Sequence, residues 1–464
     1  MKTRIFRLRL LLLAGAICVA ALAVVTGGSR SFRAQPGRAA AAQAESQSLL
    51  STADAVFNDM SEITTLPIKA PLKKQVLNRA QIRDYLTQDL KEEYTPREVR
   101  QEEAMLKAFG LVSRDFDLEK FLITFFTEQA AGVYDARRKT MLIADWVAPE
   151  MQKLVLSHEL THALQDQNFD LEKFEHGDRS DNDSTNARHA VVEGYATAAM
   201  MQELIKPAAL ANLPSFGPLL NLMTQRPMTE FPAFSSAPFF FRFVTLFPYS
   251  EGTTFMQAGL AHGGWKRLNR LFSEPPGTTK EIFEPELYFK PDFGPVEVTI
   301  VGGAGTKTNA PPRITLSKLT LPHPETLSAV PGLGLLDENT LGELGYYSLL
   351  GQLISEEEAK KLAPAWLADR YLLYENPPAH QYALVARSRW TSPETALAFF
   401  RDYHTILARK FAELRPDSRS GEDLFVGTAA SGAVILLRQG EECRWAEGVP
   451  AAQTAATINW LRSL

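Results

Sequence analysis

His158 and His162 stand four residues apart in the run Leu156-Ser157-His158-Glu159-Leu160-Thr161-His162-Ala163-Leu164. On a helix that spacing puts both rings on one face, about one turn apart, so two imidazole nitrogens can reach a single ion at ~2.0–2.1 Å. Glu159 is offset from that face, where a carboxylate can take a proton from a metal-bound water. Zinc brings such a water towards a pKa of ~7, which makes this chemistry available at neutral pH. Val155, Leu156, Leu160, Ala163 and Leu164 make the other faces apolar, as a buried helix requires. A helix that merely displayed two histidines on a surface would carry more polar neighbours.

A catalytic zinc needs a third protein ligand and one open position. In an extended form of the motif a Gly and a third His follow on the same helix. Those positions hold Gln165 and Asn168 here, so a second helix must supply the ligand. Glu193 is the first candidate, in His189-Ala190-Val191-Val192-Glu193-Gly194-Tyr195-Ala196-Thr197. It follows His162 by 193 − 162 = 31 residues, room for a loop and a return helix. A carboxylate among Val, Gly and Ala is costly to bury unless it is paired or ligating. His189, one turn earlier, is an alternative ligand or a group acting on the transition state; His176, Asp181 and Asp183 are further candidates. A peptide-hydrolysing site also needs a donor for the developing oxyanion. Tyr249 is the leading candidate, followed by Tyr195, His189 and the more remote Arg242.

His158, His162 and Glu193 together resemble the Glu-ligand branch of the zincin metallopeptidases, the gluzincins, of which thermolysin is the familiar member. The sequence is more closely similar to a group of largely uncharacterised bacterial and archaeal metallopeptidase-like proteins. The shared stretches are Ala131-Gly132-Val133-Tyr134-Asp135, His158 to Leu171 with Gln165-Asp166-Gln167, and Val192-Glu193-Gly194. Pro248-Tyr249-Ser250-Glu251-Gly252, Gly263-Gly264-Trp265 through Pro275-Pro276, and the region of Trp390 continue the likeness over most of the chain. The resemblance implies a hydrolase holding one Zn2+ per chain on His158, His162 and Glu193. With Glu159 as general base, the expected function is an endopeptidase acting on peptide or protein substrates, although the resemblance itself says little about substrate. The chain departs from these patterns at Tyr195, where an acidic residue is expected two after the ligand Glu. It departs again at Thr197, where thermolysin-like enzymes place an Asp that orients a ligand His, and at Glu284, where a His usually precedes the proline. A catalytically inactive, zinc-stabilised envelope-binding or scaffold protein is the competing reading. Glu159 discriminates against it, because a structural site closes all four positions and has no use for a carboxylate between the histidines.

The elements that must position these groups form an α+β chain: a mostly helical zincin-like domain with a small β-hairpin, then a smaller α+β C-terminal domain. Helices are expected at residues 53–60, 79–90, 96–109 (stopped by Gly110) and 117–126. A hairpin of two strands follows at 130–134 and 140–144, and it could offer an edge strand to an extended substrate. A helix from Pro149 to about Asn168 carries the motif, residues 170–186 read as a loop, and 187–205 as the return helix. The Pro- and Phe-rich stretch 207–249 reads as a buried helical hairpin, with a cleft wall or membrane-touching surface as alternatives, and 250–272 as one more helix. Beyond Pro291 strands are expected at 296–301, 371–375, 382–390, 423–426 and 433–439, and helices at 341–353, 356–367, 391–411 and 452–464.

Length and composition are consistent with this plan. The 464 residues exceed one small domain, and 45% hydrophobic and 22% charged residues are ordinary globular values. A net charge of −5 argues against nucleic-acid binding. Lys2, Arg4, Arg7 and Arg9 precede an apolar run, Leu10 to Val25, that matches a signal peptide and is short for a bilayer span of ~20 residues. The expected organisation is a signal peptide or anchor with the start of a linker at 1–34, a flexible linker at 35–51, the metallopeptidase domain at 52–290 and the C-terminal domain at 291–464. Cleavage would leave the protein periplasmic or extracellular; an uncleaved segment would associate it with the membrane. With Cys18 in the apolar run, Cys443 alone is left, which excludes a Cys-based zinc site and an internal disulfide. His380 and His404 are isolated and read as structural.

Overall fold

The computed structural model describes residues 38–129, 132–147, 149–175, 181–214, 231–289, 318–379 and 381–464. The expected signal peptide, the strand expected at 296–301, His176 and His380 lie outside the described residues. The architecture is α+β, a helical N-terminal part followed by a seven-stranded sheet. Its first element corrects the flexible linker expected at 35–51: Arg38–Thr64 is one helix, α1. Alanine is the strongest helix former, and the Ser and Gln residues that make the stretch look like a linker do not break a helix.

The next elements are β1 (Lys73–Leu77), α2 (Arg79–Glu93), α3 (Pro96–Phe109) and α4 (Leu118–Gln129). Thr95 and Glu98 form a reciprocal capping box at the start of α3, Pro96 occupies its first position, and Gly110 ends it in the left-handed conformation, φ 77°. The hairpin follows as β2 (Gly132–Asp135) and β3 (Thr140–Ala144), paired antiparallel. β1 joins it parallel to β3, so β3 is central and β2 lies at an edge of the three strands. Two helices then carry the metal-ligand candidates, α5 (Pro149–Phe169) and α6 (Asn182–Ile205).

The loop expected at 170–186 is corrected on both sides. Leu171–Glu175 is a short helix, and Asp181 caps α6 by accepting the Ser184 N–H. Asp, Asn and Ser favour turns and helix N-caps for the same reason, a side chain that bonds nearby backbone, so the run 181–184 reads equally well as either. The helical hairpin expected at 207–249 and the separate helix at 250–272 are also corrected. One helix, α7 (Phe239–Ala261), runs straight through Pro248. Its Phe240, Phe241 and Phe247 are buried, and Phe241 meets Phe116, Phe121 and Phe125 with ring centroids 4.5–6.4 Å apart. That aromatic packing outweighs the one backbone bond a proline removes. Phe240, Phe241 and Phe247 are therefore core, whereas Phe239 and Phe243 are half-buried. No helix among them is long and apolar enough to cross a membrane.

The C-terminal part contains β4 (Gly334–Asn339), α8 (Gly342–Leu353), β5 (Trp366–Asn376), β6 (Gln381–Trp390) and α9 (Pro393–Lys410). It continues with β7 (Arg415–Pro416), β8 (Leu424–Ala429), β9 (Gly432–Gln439), β10 (Glu442–Val449) and α10 (Thr454–Ser463). The sheet order is β4-β5-β6-β10-β9-β8-β7, antiparallel throughout. One face holds α9 and shares a single hydrophobic core with the helical part, from Ala53 of α1 to Trp445 of β10. Leu344, Tyr346, Leu349 and Leu350 of α8 lie inside that core. The other face has its own smaller core under α10. Cys443 is free and buried, with its thiol pushed upward by burial.

Candidate metal centre

α5 and α6 pack side by side, and α6 crosses α7 where two glycines meet. A Cβ on Gly194 would lie 2.5 Å from the carbonyl carbon of Gly252, and one on Gly252 would lie 2.6 Å from the Ala190 oxygen. Only hydrogen at both positions lets the backbones approach this closely. The crossing falls directly beside Glu193 and three residues from Tyr249, so it sets the depth at which both face α5.

Three side chains converge there. His158 Nε2 is 3.1 Å from Glu193 Oε2, His162 Nε2 is 3.5 Å from the same oxygen, and the two Nε2 atoms are 3.1 Å apart. All three residues are buried, and they form the one cluster of possible metal ligands found among the described residues. A tetrahedral ion with bonds of ~2.0–2.1 Å separates its ligand atoms by roughly 3.3 Å, and this triangle has that size. The charge balance points the same way. Burial works against the Glu193 carboxylate, yet the two imidazoles draw it well below the usual carboxylate range. Burial likewise opposes a charged His162, and Glu193 pushes it up to about 9. A buried carboxylate in this setting demands one compensating positive charge, either a proton on imidazole or a cation between the ligands. Glu193 Oε1 and His158 Nδ1 have no hydrogen-bond partner among the described residues. This donor set fits zinc.

Glu159 follows His158 and is also buried, which raises its carboxyl above the usual range against the pull of the two imidazoles. Its Oε2 accepts the backbone N–H of Tyr134 at 2.8 Å, so edge strand β2 holds the carboxylate. The Tyr134 hydroxyl donates to Asp166 Oδ2 at 2.6 Å, and Lys139 Nζ donates to the same carboxylate at 2.7 Å. Asp166 is one turn beyond His162, so this network ties strand to helix on the motif's own face. Gln165 performs a second fixation. Its Nε2 donates to the Val192 carbonyl at 3.0 Å, which leaves its Oε1 to accept His162 Nδ1–H at 2.8 Å. With Nδ1 as the donor, Nε2 is the nitrogen turned towards Glu193 and the one available to a metal.

The other candidates separate clearly. Tyr249 is buried with its ring 5.9 Å from that of His158. Tyr195 is turned away: its hydroxyl donates to Asn269 Oδ1 at 2.6 Å, and its ring packs on Trp265 and Phe272. His189 is not in the triangle; its Nδ1 lies 3.3 Å from Glu175 Oε1. Asp181 and Asp183 are structural. Asp181 caps α6, and Asp183 accepts the Thr279 N–H at 2.9 Å. Glu284, where a His was expected, pairs with Lys280 at 2.7 Å. Thr197 is buried with its hydroxyl unpartnered among the described residues. Sequence reasoning missed Gln165 as an orienting group and Tyr134 as the holder of Glu159. The first was visible only as a residue that excluded the extended motif, and the second acts through a backbone group that no side chain announces.

The profile of a domain of unknown function (DUF8575) matches residues 331–459, from just before β4 into α10. No curated protein and no solved structure matches the chain.

Proposed function

We propose that this chain is an exported zinc metallopeptidase, an endopeptidase of the gluzincin type, in which His158, His162 and Glu193 hold one zinc ion and Glu159 is the general base. The observation that carries this reading is the buried triangle of two imidazole nitrogens and one carboxylate oxygen, 3.1–3.5 Å on a side, with a second carboxylate beside it. A zinc ion held there supplies Lewis acidity and a water acidic enough to be deprotonated near neutral pH. Glu159 accepts that proton and passes it to the departing amine. Its burial favours the protonated form it must adopt between those two steps, and the Tyr134 N–H fixes its orientation. Gln165 keeps His162 in the tautomer that binds metal. Tyr249, next to His158, is the candidate donor to the carbonyl oxygen as it gains charge. Export rests on the basic and apolar pattern of residues 2–25.

The test begins with zinc per chain in protein purified without added metal, native against Glu193→Ala. About one zinc in the native protein and its loss in the variant are expected. Equal zinc in both removes Glu193 from the ligand set, and a zinc-free native protein removes the reading. Casein degradation by the native protein and by Glu159→Gln then addresses catalysis. The glutamine variant should keep its zinc and lose cleavage, and a variant that still cleaves would exclude Glu159 as the base.

A further inference from the structure

A cleft of about 1500 Å3 opens between the helical part and the sheet. Its walls come from the end of α3 and the loop after it, the first turn of α7, the last turns of α8 and α9, and the adjoining ends of β5, β6 and β10. No metal-centre residue lines it. Sites for single small molecules occupy ~300–1,000 Å3, so this volume suits a longer ligand.

The charges on the walls are unequal. Arg100 pairs with Glu375 at 2.8 Å, Lys107 with Glu103 at 2.6 Å and Lys410 with Glu447 at 2.6 Å. Arg114 and Arg409 also line the cleft, are exposed, and have no carboxylate partner among the described residues. The Arg409 guanidinium donates to the Leu353 carbonyl. The cleft thus carries two cations in excess on a chain whose net charge is −5. Between the charges lie apolar surfaces from Phe116, Phe239, Leu353 and Phe411. Ser431 adds a hydroxyl that is buried and without a partner among the described residues.

We infer that this cleft binds an extended acidic peptide segment, with carboxylates on Arg114 and Arg409 and apolar side chains on the aromatic and leucine surfaces. An extended chain presents side chains of both kinds along its length, which suits a cleft lined by both charged and apolar groups. A hydrocarbon chain would have to lie along three ion pairs and desolvate them. A polyphosphate has no apolar groups to cover Phe116, Phe239, Leu353 and Phe411. The inference does not depend on the metal centre, so either can fail without the other.

The experiment measures binding to the full-length Glu159→Gln chain, in which hydrolysis of the probe is blocked if the metal centre is catalytic. The probe is a fluorescein-labelled ten-residue peptide of alternating Glu and Leu, followed by anisotropy with and without EDTA. Saturable binding is expected, at least tenfold tighter than for the Lys/Leu counterpart and indifferent to EDTA. Adding Arg114→Glu and Arg409→Glu together should weaken it at least tenfold. Both side chains are exposed, and a melting curve checks folding. A salt titration of the unmodified cleft gives a reading independent of any variant, because dissociation must increase with NaCl. Equal binding of the two peptides, an unchanged dissociation constant in the double reversal, or no salt dependence overturns the inference. Tighter binding of dodecanoate or of a single-stranded oligonucleotide than of the acidic peptide also overturns it, in favour of that ligand class.

Discussion

Replacing Gly194 by alanine adds one methyl group at the crossing of α6 and α7, and the structure gives the size of the conflict. The new Cβ meets the carbonyl carbon, oxygen and Cα of Gly252 at 2.5, 2.6 and 2.9 Å. Ordinary carbon contacts are ~3.5–4.0 Å, so the helices must part by roughly 1 Å. The obstructing atoms are backbone, and no rotamer change relieves them. Overpacking of this kind costs ~1–3 kcal/mol. Each kcal/mol lowers Tm by ~2–4 °C in a domain of 150–250 residues. The adjacent residue is Glu193, whose Oε2 lies 3.1 Å from one imidazole nitrogen and 3.5 Å from the other. Metal bonds tolerate displacements of about 0.2 Å, so a ligand helix moved by several times that distance should lose ~10–100-fold in zinc affinity. Calorimetry and zinc retention against a chelator series measure the two effects on one preparation. Gly334→Ala is the control, since a Cβ there meets nothing within 4 Å. A Gly194→Ala protein that melts with the native chain and holds zinc equally well would refute the claim that this crossing sets the ligand's position.

Gln165→Leu should weaken zinc ~10–100-fold by freeing His162 Nδ1 from its acceptor, measured by competition with a chromophoric chelator; unchanged affinity would mean that Gln165 does not orient the ligand. Glu102, buried between α3 and the sheet, is raised from 4.5 to about 8 by burial and then by Asp337. A carboxyl raised in the folded state favours folding fully below about 4.5, and this contribution is lost as pH climbs towards 8. Glu102→Gln should therefore match the native chain near pH 4 and exceed it near pH 9 by up to about 5 kcal/mol. Parallel Tm profiles across that range would show that Glu102 is not the titrating group.

How far the sequence could be read varies with the physics that decides each element. The bounds of α3 follow from local signals, Thr95 with Glu98 at one end and Gly110 at the other, and the structure agrees at both. The hairpin strand Thr140–Ala144 was equally legible, being flanked by polar turn residues. β1 was not, because Lys73-Lys74-Gln75-Val76-Leu77 lacks an alternating pattern and its strand character comes from parallel pairing with β3. β10 was hidden by its charges: Glu442 and Arg444 are buried and satisfied by each other, with the Glu442 carboxylate held low by Arg444, Arg389 and Arg387 despite burial. α7 defied its proline because distant aromatic rings decide its course. At the site, side-chain chemistry singled out His158, Glu159, His162 and Glu193. The partners that hold them were illegible because they are an amide on a strand, a carbonyl on a neighbouring helix and the absence of two Cβ atoms.

The start of α6 bears on how this protein could change over evolutionary time. Asn182 and Asn339 exchange hydrogen bonds at 2.8 and 3.0 Å, and Thr340 donates to Asp181 at 2.8 Å. Gly342 leaves the space that Asp183 fills. The helix that presents Glu193 is therefore clasped at its origin by residues inside the stretch shared with DUF8575, whereas Asp181, Asn182 and Asp183 lie outside it. A recombination that joined these helices to another C-terminal partner would break a clasp neither half can rebuild alone. On the proposed zinc reading, a change at Asn339, Thr340 or Gly342 would disturb a metal centre those residues never touch.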